Sequence, residues 1–227
     1  MNPVLKKMTL LILFILGLCF QGCSGYRVKN SENPLAIYGI RTLAIPVFVN
    51  HSTLSKISGP LTTEIKSLMM SYVDLRVQSE YRGSSDAVLL GIIESPKHKN
   101  ETVKATGSKF TTGDIEATIG TRNEFFIPQQ NEIKLVLRLI LIKAPSAQEL
   151  ELAKGDLGKF MKSHPRVIFS ENMDVTAAFS REIAGNLSPD NAGVVNFSKN
   201  KKAQYESLRL AAKSVATNFK EVVLDAF

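Results

Sequence analysis

The chain has no tryptophan, few aromatic residues, three histidines and two cysteines in 227 residues. Each shortage excludes something. Without tryptophan and with so few other rings, a carbohydrate-stacking platform is not expected. His51, His98 and His164 stand apart in loop-like surroundings, with no partner at metal-ligand spacing, so neither a zinc site nor a histidine-centred catalytic group is expected. There is no G-x-S-x-G elbow, and Gly107, Gly113 and Gly120 are scattered with no GK[ST] after them. Glu149 and Glu151 are a carboxylate pair on the polar side of a short helical stretch, with nothing to place a second carboxyl across a cleft. With these signatures missing together, the expectation is a non-enzyme with no cofactor and no metal.

Long apolar runs are also scarce. After residue 25 none is long enough to span a bilayer; the stretch 136–142 is interrupted by Arg138 and ends at Lys143 and Pro145. The exception lies at the start. Lys6 and Lys7 precede an apolar run over 8–20, and Gln21, Gly22, Cys23, Ser24 and Gly25 follow. A basic start, a short apolar run and small residues at its end form a secretory signal. Gly22-Cys23 at that point resembles a bacterial lipobox. Residues 1–22 are then the signal, and Cys23 begins the mature chain as its lipidation site. An ordinary signal cleaved near Gly22 or Gly25, leaving a free thiol, is the alternative. Cys19 sits inside the apolar run, so an acylated Cys23 leaves no disulfide, and packing must hold the fold. Ser24, in place of aspartate, fits sorting to the outer membrane.

Removing residues 1–22 leaves about 205 residues, enough for one domain with a sizeable core. The formal charge falls from +7 to +5 when Lys6 and Lys7 go. A basic exported chain points to anionic partners such as lipid headgroups, lipid A phosphates or acidic protein surfaces, and away from nucleic acid.

Hydrophobic periodicity predicts the rest. Residues 23–38 read as a lipidated N-terminus and polar tether, and 39–227 as one domain. A strand is expected over 40–49, its end pushed to an edge or bulge by Pro46. A helix over 59–72 follows, capped by Ser58, with Leu61, Ile65, Leu68 and Tyr72 on one face. Short strands at 75–79 and 87–93 come next. Residues 97–131 read as a long polar hairpin or excursion. The stretch 132–142 is a cleanly alternating strand, and 145–165 an insertion with a helix near 147–153. A strand at 166–173 precedes a polar loop over 184–202. In the last helix Tyr205, Leu208, Ala212, Val215, Phe219, Val222 and Ala226 step three and four apart along one face. The fold class expected is an α/β (α+β) two-layer sandwich: a mixed sheet of four-stranded type, two helices on one face, and the excursion.

Cations gather in two places. Lys97, Lys99, Lys104, Lys109 and Arg122 lie in the excursion; Lys199, Lys201 and Lys202 precede the last helix. Together they are candidate contacts for an anionic ligand or an acidic partner.

Three segments resemble one family. Cys23, Ser24, Gly25, Tyr26 and Arg27 resemble the Cys-Gly-Tyr-Arg start of mature lipoproteins of the LptE family, with Ser24 inserted. Gly39, Ile40, Arg41, Thr42, Leu43, Ala44, Ile45, Pro46, Val47, Phe48, Val49 and Asn50 resemble its first strand and the asparagine after it. Asp86, Ala87, Val88, Leu89, Leu90, Gly91, Ile92 and Ile93 are similar to its Asp-Ala-Val-Leu-Glu-Gly-x-Ile strand, and the last helix fits the family's final one. The resemblance implies a two-layer α/β domain and an outer-membrane lipoprotein on the periplasmic face, held there by lipid on Cys23. It also implies two partners: an LptD-like β-barrel whose lumen the family plugs, and lipopolysaccharide (LPS). The two groups of cations are physical candidates only, since no binding motif of the family aligns with them. A regulatory outer-membrane lipoprotein of LpoB or CsgG type, acting on an envelope enzyme or secretion complex, is the alternative. A tether of 24–38 reaches at most ~50 Å, which favours a partner at the membrane.

Overall fold

The structure, a computed structural model, describes residues 32–81, 83–96, 102–109, 126–155, 164–181 and 197–225. Among them are strands β1 Thr42–Ala44, β2 Val49–Asn50, β3 Arg76–Gln78, β4 Ala87–Glu94, β5 Val103–Lys109, β6 Phe126–Lys143 and β7 Val167–Ser180. The α-helices are α1 Ser58–Met70, α2 Ala147–Lys154 and α3 Phe197–Phe219, and α3 runs on into a π-helical turn, Lys220–Leu224. The fold is a mixed α+β sandwich built on one open sheet, as the alternation of strands and helices predicts.

The sheet has seven strands rather than four. The difference comes from β6, which is 18 residues long where alternation marks only 132–142. One edge of β6 pairs antiparallel with β4 from Val136 to Lys143 and with β5 from Phe126 to Ile133, so β4 and β5 lie end to end beside it. The other edge pairs with β7 from Gln130 to Ile142. The flanks of the expected excursion are therefore a hairpin continuing the sheet, and residues 110–125 lie outside the described set. Pro128 is accommodated because β7 pairing begins at Gln130 and the β5 register shifts at Thr106 and Gly107.

Pro46 divides the expected first strand in two. β1 pairs parallel with β3 and β4, whereas β2 pairs only with β4, at Ile92 and Ile93. Between them Val47 is exposed, while Phe48 turns inward and lies over Gly91. Phe48 N–H donates to Thr62 Oγ1 at 3.0 Å, and that hydroxyl donates to the Ser58 carbonyl at 2.7 Å. Strand and helix are thus tied by one side chain. Ser58 is the first helical residue and not the cap: Ile57 occupies the cap position and makes no side-chain capping bond. Ser146 caps α2 in a full capping box with Glu149.

Burial separates two faces. On one, Ile133, Leu135, Leu137, Leu139 and Leu141 of β6 join Leu61, Ile65 and Met69 of α1 and Leu208, Ala212, Val215 and Phe219 of α3 in the main core. The predicted α3 face holds at those four positions. Tyr205 is exposed, and Val222 gives way to Val223, because the π turn inserts an extra residue and rotates the buried face. On the opposite face Val88, Leu90, Ile92, Ile140 and Ile142 are covered by α2 through Ala153. Beyond α2 that face becomes polar: Arg138 bonds Glu94 at 2.6 Å, and Lys134 pairs with Glu132 at 3.1 Å.

The chain enters this domain packed rather than loose. Pro34–Tyr38 is a one-turn helix capped by Asn33, with Leu35 in the core, so the tether ends earlier than residue 38. Lys143 at the end of β6 donates to the Tyr38 carbonyl at 2.7 Å. Beside it the Asp86 carboxylate accepts from the Arg41 and Thr42 amides at 2.9 and 2.8 Å. Those amides, the Arg41 one first, hold the Asp86 carboxyl below its ordinary value. The folded-state pKa is depressed, so this stabilisation is fully present above the unfolded value of ~3.9 and is lost as pH falls on through the folded-state pKa. D86N should cost about 1 kcal/mol at neutral pH. In urea melts the gap between wild type and variant should narrow as pH is lowered below the unfolded value. A gap that does not change with pH would contradict this assignment.

Candidate functional site: a cationic, apolar-floored cleft

Both core-facing helices run the same way. α1 follows the loop after β2 and ends beside the start of β3; α3 begins next to the end of β7 and finishes where Phe219 meets Phe169 at 5.8 Å. Their N-termini therefore share the end of the sheet where Ser180 pairs with Gln130. No acid occupies the first turn of either helix, so both positive dipole ends act there without a neutralising carboxylate.

Between these N-termini and the end of β7 lies a cleft of about 750 Å³. That falls within the ~300–1,000 Å³ typical of small-molecule sites. Leu54, Phe179, Phe197 and Leu208 supply its apolar lining; Lys56, Arg181, Lys201 and Lys202 supply its charge, and among the described residues of the wall none is acidic. Lys201 Nζ lies 5.7 Å from the centre of the Phe197 ring, and Phe197 is 73 % exposed. Lys56 has a left-handed backbone (φ 65°), which costs a non-glycine residue energy and here turns the loop at the cleft wall. An apolar floor with this cationic rim suits an anion attached to hydrocarbon: the tail leaves water against Leu54, Phe179 and Leu208 while the head group meets Arg and Lys.

The predicted cations divide. Lys201 and Lys202 line the cleft, and they sit in the first turns of α3, not in a loop before it. Lys199 shares that helical segment but is not part of the wall. Lys104 lies on β5 directly across from Glu132, away from the cleft. Lys109 pairs with Phe126 through its backbone, and its side chain lies outside the described set. Cys23, Lys97, Lys99 and Arg122 also lie outside the described residues. Lys56 and Arg181 are the cations that charge clustering misses. Leu54-Ser55-Lys56, Phe179-Ser180-Arg181 and Phe197-Ser198-Lys199 repeat one pattern, a large apolar residue, serine and a cation, and all three tripeptides contribute to the wall.

His51, His164 and Glu149 make local contacts, and His98 lies outside the described residues. His51 Nε2 lies 3.0 Å from the Lys154 carbonyl. Glu149 accepts from the Ser146 amide at 2.6 Å and from Arg166 at 3.1 Å, and His164 stands 3.3 Å away. These contacts, the Ser146 amide first, hold the Glu149 carboxyl below its usual value. Burial, then the nearby Asp225 carboxylate, raises the pKa of the Tyr72 hydroxyl. Among the described residues no group of three or more His, Cys, Asp or Glu side chains could hold a metal ion, and no helix is long and apolar enough to cross a membrane.

No family model and no curated protein matches the chain. Solved structures are faintly similar. A candidate lipoprotein from Caulobacter crescentus has 9 % identity and a TM-score of 0.39, over 79 % of this chain and 89 % of that one. Uncharacterized lipoprotein B from Nitrosomonas europaea has 11 % identity and a TM-score of 0.37, over 84 % and 86 % of the two chains. Rare lipoprotein B from Shewanella oneidensis has 5 % identity and a TM-score of 0.33, over 80 % and 98 %. Scores this low assign neither a fold nor a function to this chain.

Proposed function

We propose that this protein is an exported, lipid-anchored component of the outer membrane that binds lipopolysaccharide in its cationic cleft and works with an LptD-like β-barrel. The observation that carries the reading is the cleft, with apolar residues as its floor and, among the described residues of its wall, four cations and no acid. Lipid A presents phosphates on an acylated core, and this wall offers both kinds of contact. The signal and Cys23 supply export and anchorage.

Two further features support the partner. The polar half of the sheet carries Glu94, Glu132, Lys134 and Arg138 with both charge signs, a surface suited to hydrogen bonds and charge pairs with a polar protein partner. The nine residue steps from Cys23 to Glu32 reach at most ~30 Å, which keeps the domain close to the membrane that holds its lipid. No catalytic role is assigned.

The test is affinity purification of tagged protein from detergent-solubilised outer membranes, alongside C23A. The expected result is a stoichiometric large barrel with co-purifying LPS, and reduced recovery with C23A. Recovery of a cell-wall synthase without a barrel, or of no partner, would overturn the barrel reading.

A further inference from the structure

The end of the domain opposite the cleft carries a different surface. Along β6, Gln130 at the cleft end and Lys143 at the other are separated by ~45 Å at ~3.4 Å per residue. The Lys143 end is also where the chain enters, through Pro34–Tyr38. Ile37 on that one-turn helix is 67 % exposed. Met70 and Val73 lie where α1 ends and leads into β3, and they are 61 % and 62 % exposed. Val222, on the π turn that closes α3, is 60 % exposed. α1 returns to this end because it crosses from β2 to a β3 that lies parallel to β1, with Thr42 opposite Arg76. α3 arrives here as well, since its last residue packs on Phe169, opposite Leu141. Single exposed apolar residues are ordinary. Four large ones at the end where the chain arrives from its anchor are not a random scatter.

We propose that this end rests on the lipid bilayer, with Ile37, Met70, Val73 and Val222 inserted at the headgroup boundary. The inference builds on the anchored-lipoprotein reading and adds an orientation to it. The described domain begins at this end, and the nine residue steps from Cys23 to Glu32 hold it within ~30 Å of the bilayer. Exposed Arg41, Arg76 and Lys143 stand at headgroup level, where their stems lie along apolar surface. Asp74, Glu221 and Asp225 share the end, so insertion here depends on apolar contact and responds little to salt. The cleft then points away from the membrane surface that holds the anchor.

The lack of tryptophan makes the test clean. Single-tryptophan variants M70W, V73W and F197W are prepared in mature chain carrying C23S, without acyl lipid, and titrated with phosphatidylethanolamine–phosphatidylglycerol vesicles. M70W and V73W emission should shift to the blue, F197W emission should not, and the shift should survive high salt. Combining V73W with I37S and V222S should lower the vesicle-bound fraction at least ~5-fold, with the thermal melt confirming a folded chain. A shift at F197W alone, equal shifts everywhere, or no shift because residues 24–31 cover this end would each overturn the proposal. Mass analysis of the Cys23 peptide from membranes reports acylation separately. An unmodified cysteine with a positive M70W shift would sink the anchor and leave the bilayer contact standing.

Discussion

R181E combined with K201E should weaken binding of LPS about 100-fold while leaving the melting temperature nearly unchanged. Arg181 and Lys201 both line the cleft, one just after the end of β7 and the other on the first turns of α3. A charge-assisted hydrogen bond to phosphate contributes ~1.5–3 kcal/mol, so each lost contact is worth about tenfold, and reversal adds repulsion. Lys201 is exposed and Arg181 half-buried at a strand end, with no core packing to lose, so stability should stay within ~0.5 kcal/mol. K104E serves as the internal control: Lys104 lies opposite Glu132 on the hairpin, and its reversal should leave LPS affinity within about twofold. Isothermal titration with lipid A, with and without its phosphates, separates the charge contribution from that of the apolar floor. Equal losses from K104E and the cleft pair would mean that bulk charge, and not the cleft, holds the ligand.

G91A should destabilise the domain by ~3 kcal/mol. An alanine Cβ at Gly91 would collide with the Phe48 ring. The ring cannot simply withdraw. Phe48 is in the core, and its amide is held by Thr62, whose hydroxyl is in turn held by the first turn of α1. Gly91 itself is mid-strand in β4, paired with Leu139 of β6. Relief therefore means pushing helix from sheet, and a loss of ~3 kcal/mol lowers the melting temperature of a domain this size by roughly 6–12 °C. F48A alone should cost ~3–5 kcal/mol. In that background G91A should cost less than ~1 kcal/mol, because the atom it strikes is gone. Urea melts of the four-member cycle measure the coupling, and strict additivity would contradict this contact. The result also bears on function, since α1 reaches from this contact to the cleft loop at Lys56.

Most of the secondary structure is legible from residue spacing, and the departures have physical causes. The α3 stripe at Leu208, Ala212, Val215 and Phe219 is read correctly, then fails at Val222 because a π turn changes the period at a place no periodicity marks. Pro46 predicts an edge or bulge; it breaks the strand outright, because Phe48 must reverse direction to cover Gly91. Residues 126–131 lack alternation, yet they extend β6, because their backbone pairs with β5. The tether's end, with Leu35 buried, is hidden by the polar residues around it. The cleft was half legible. Lys201 and Lys202 stand in a visible run, but Lys56 and Arg181 are isolated in sequence and meet them only because α1 and α3 start at the same end of the sheet. The recurring apolar-Ser-cation tripeptide was the available signal, and charge clustering alone does not detect it.

The central claim is that the cleft holds lipopolysaccharide in the cell. It is tested most directly by placing a photo-crosslinking residue at position 197, within the wall, and at position 152, on the exposed side of α2, in cells whose LPS is radiolabelled. A labelled LPS adduct is expected at 197 and none at 152. Adducts of equal strength at both positions, or none at 197 while the protein still co-purifies with its barrel, would contradict it.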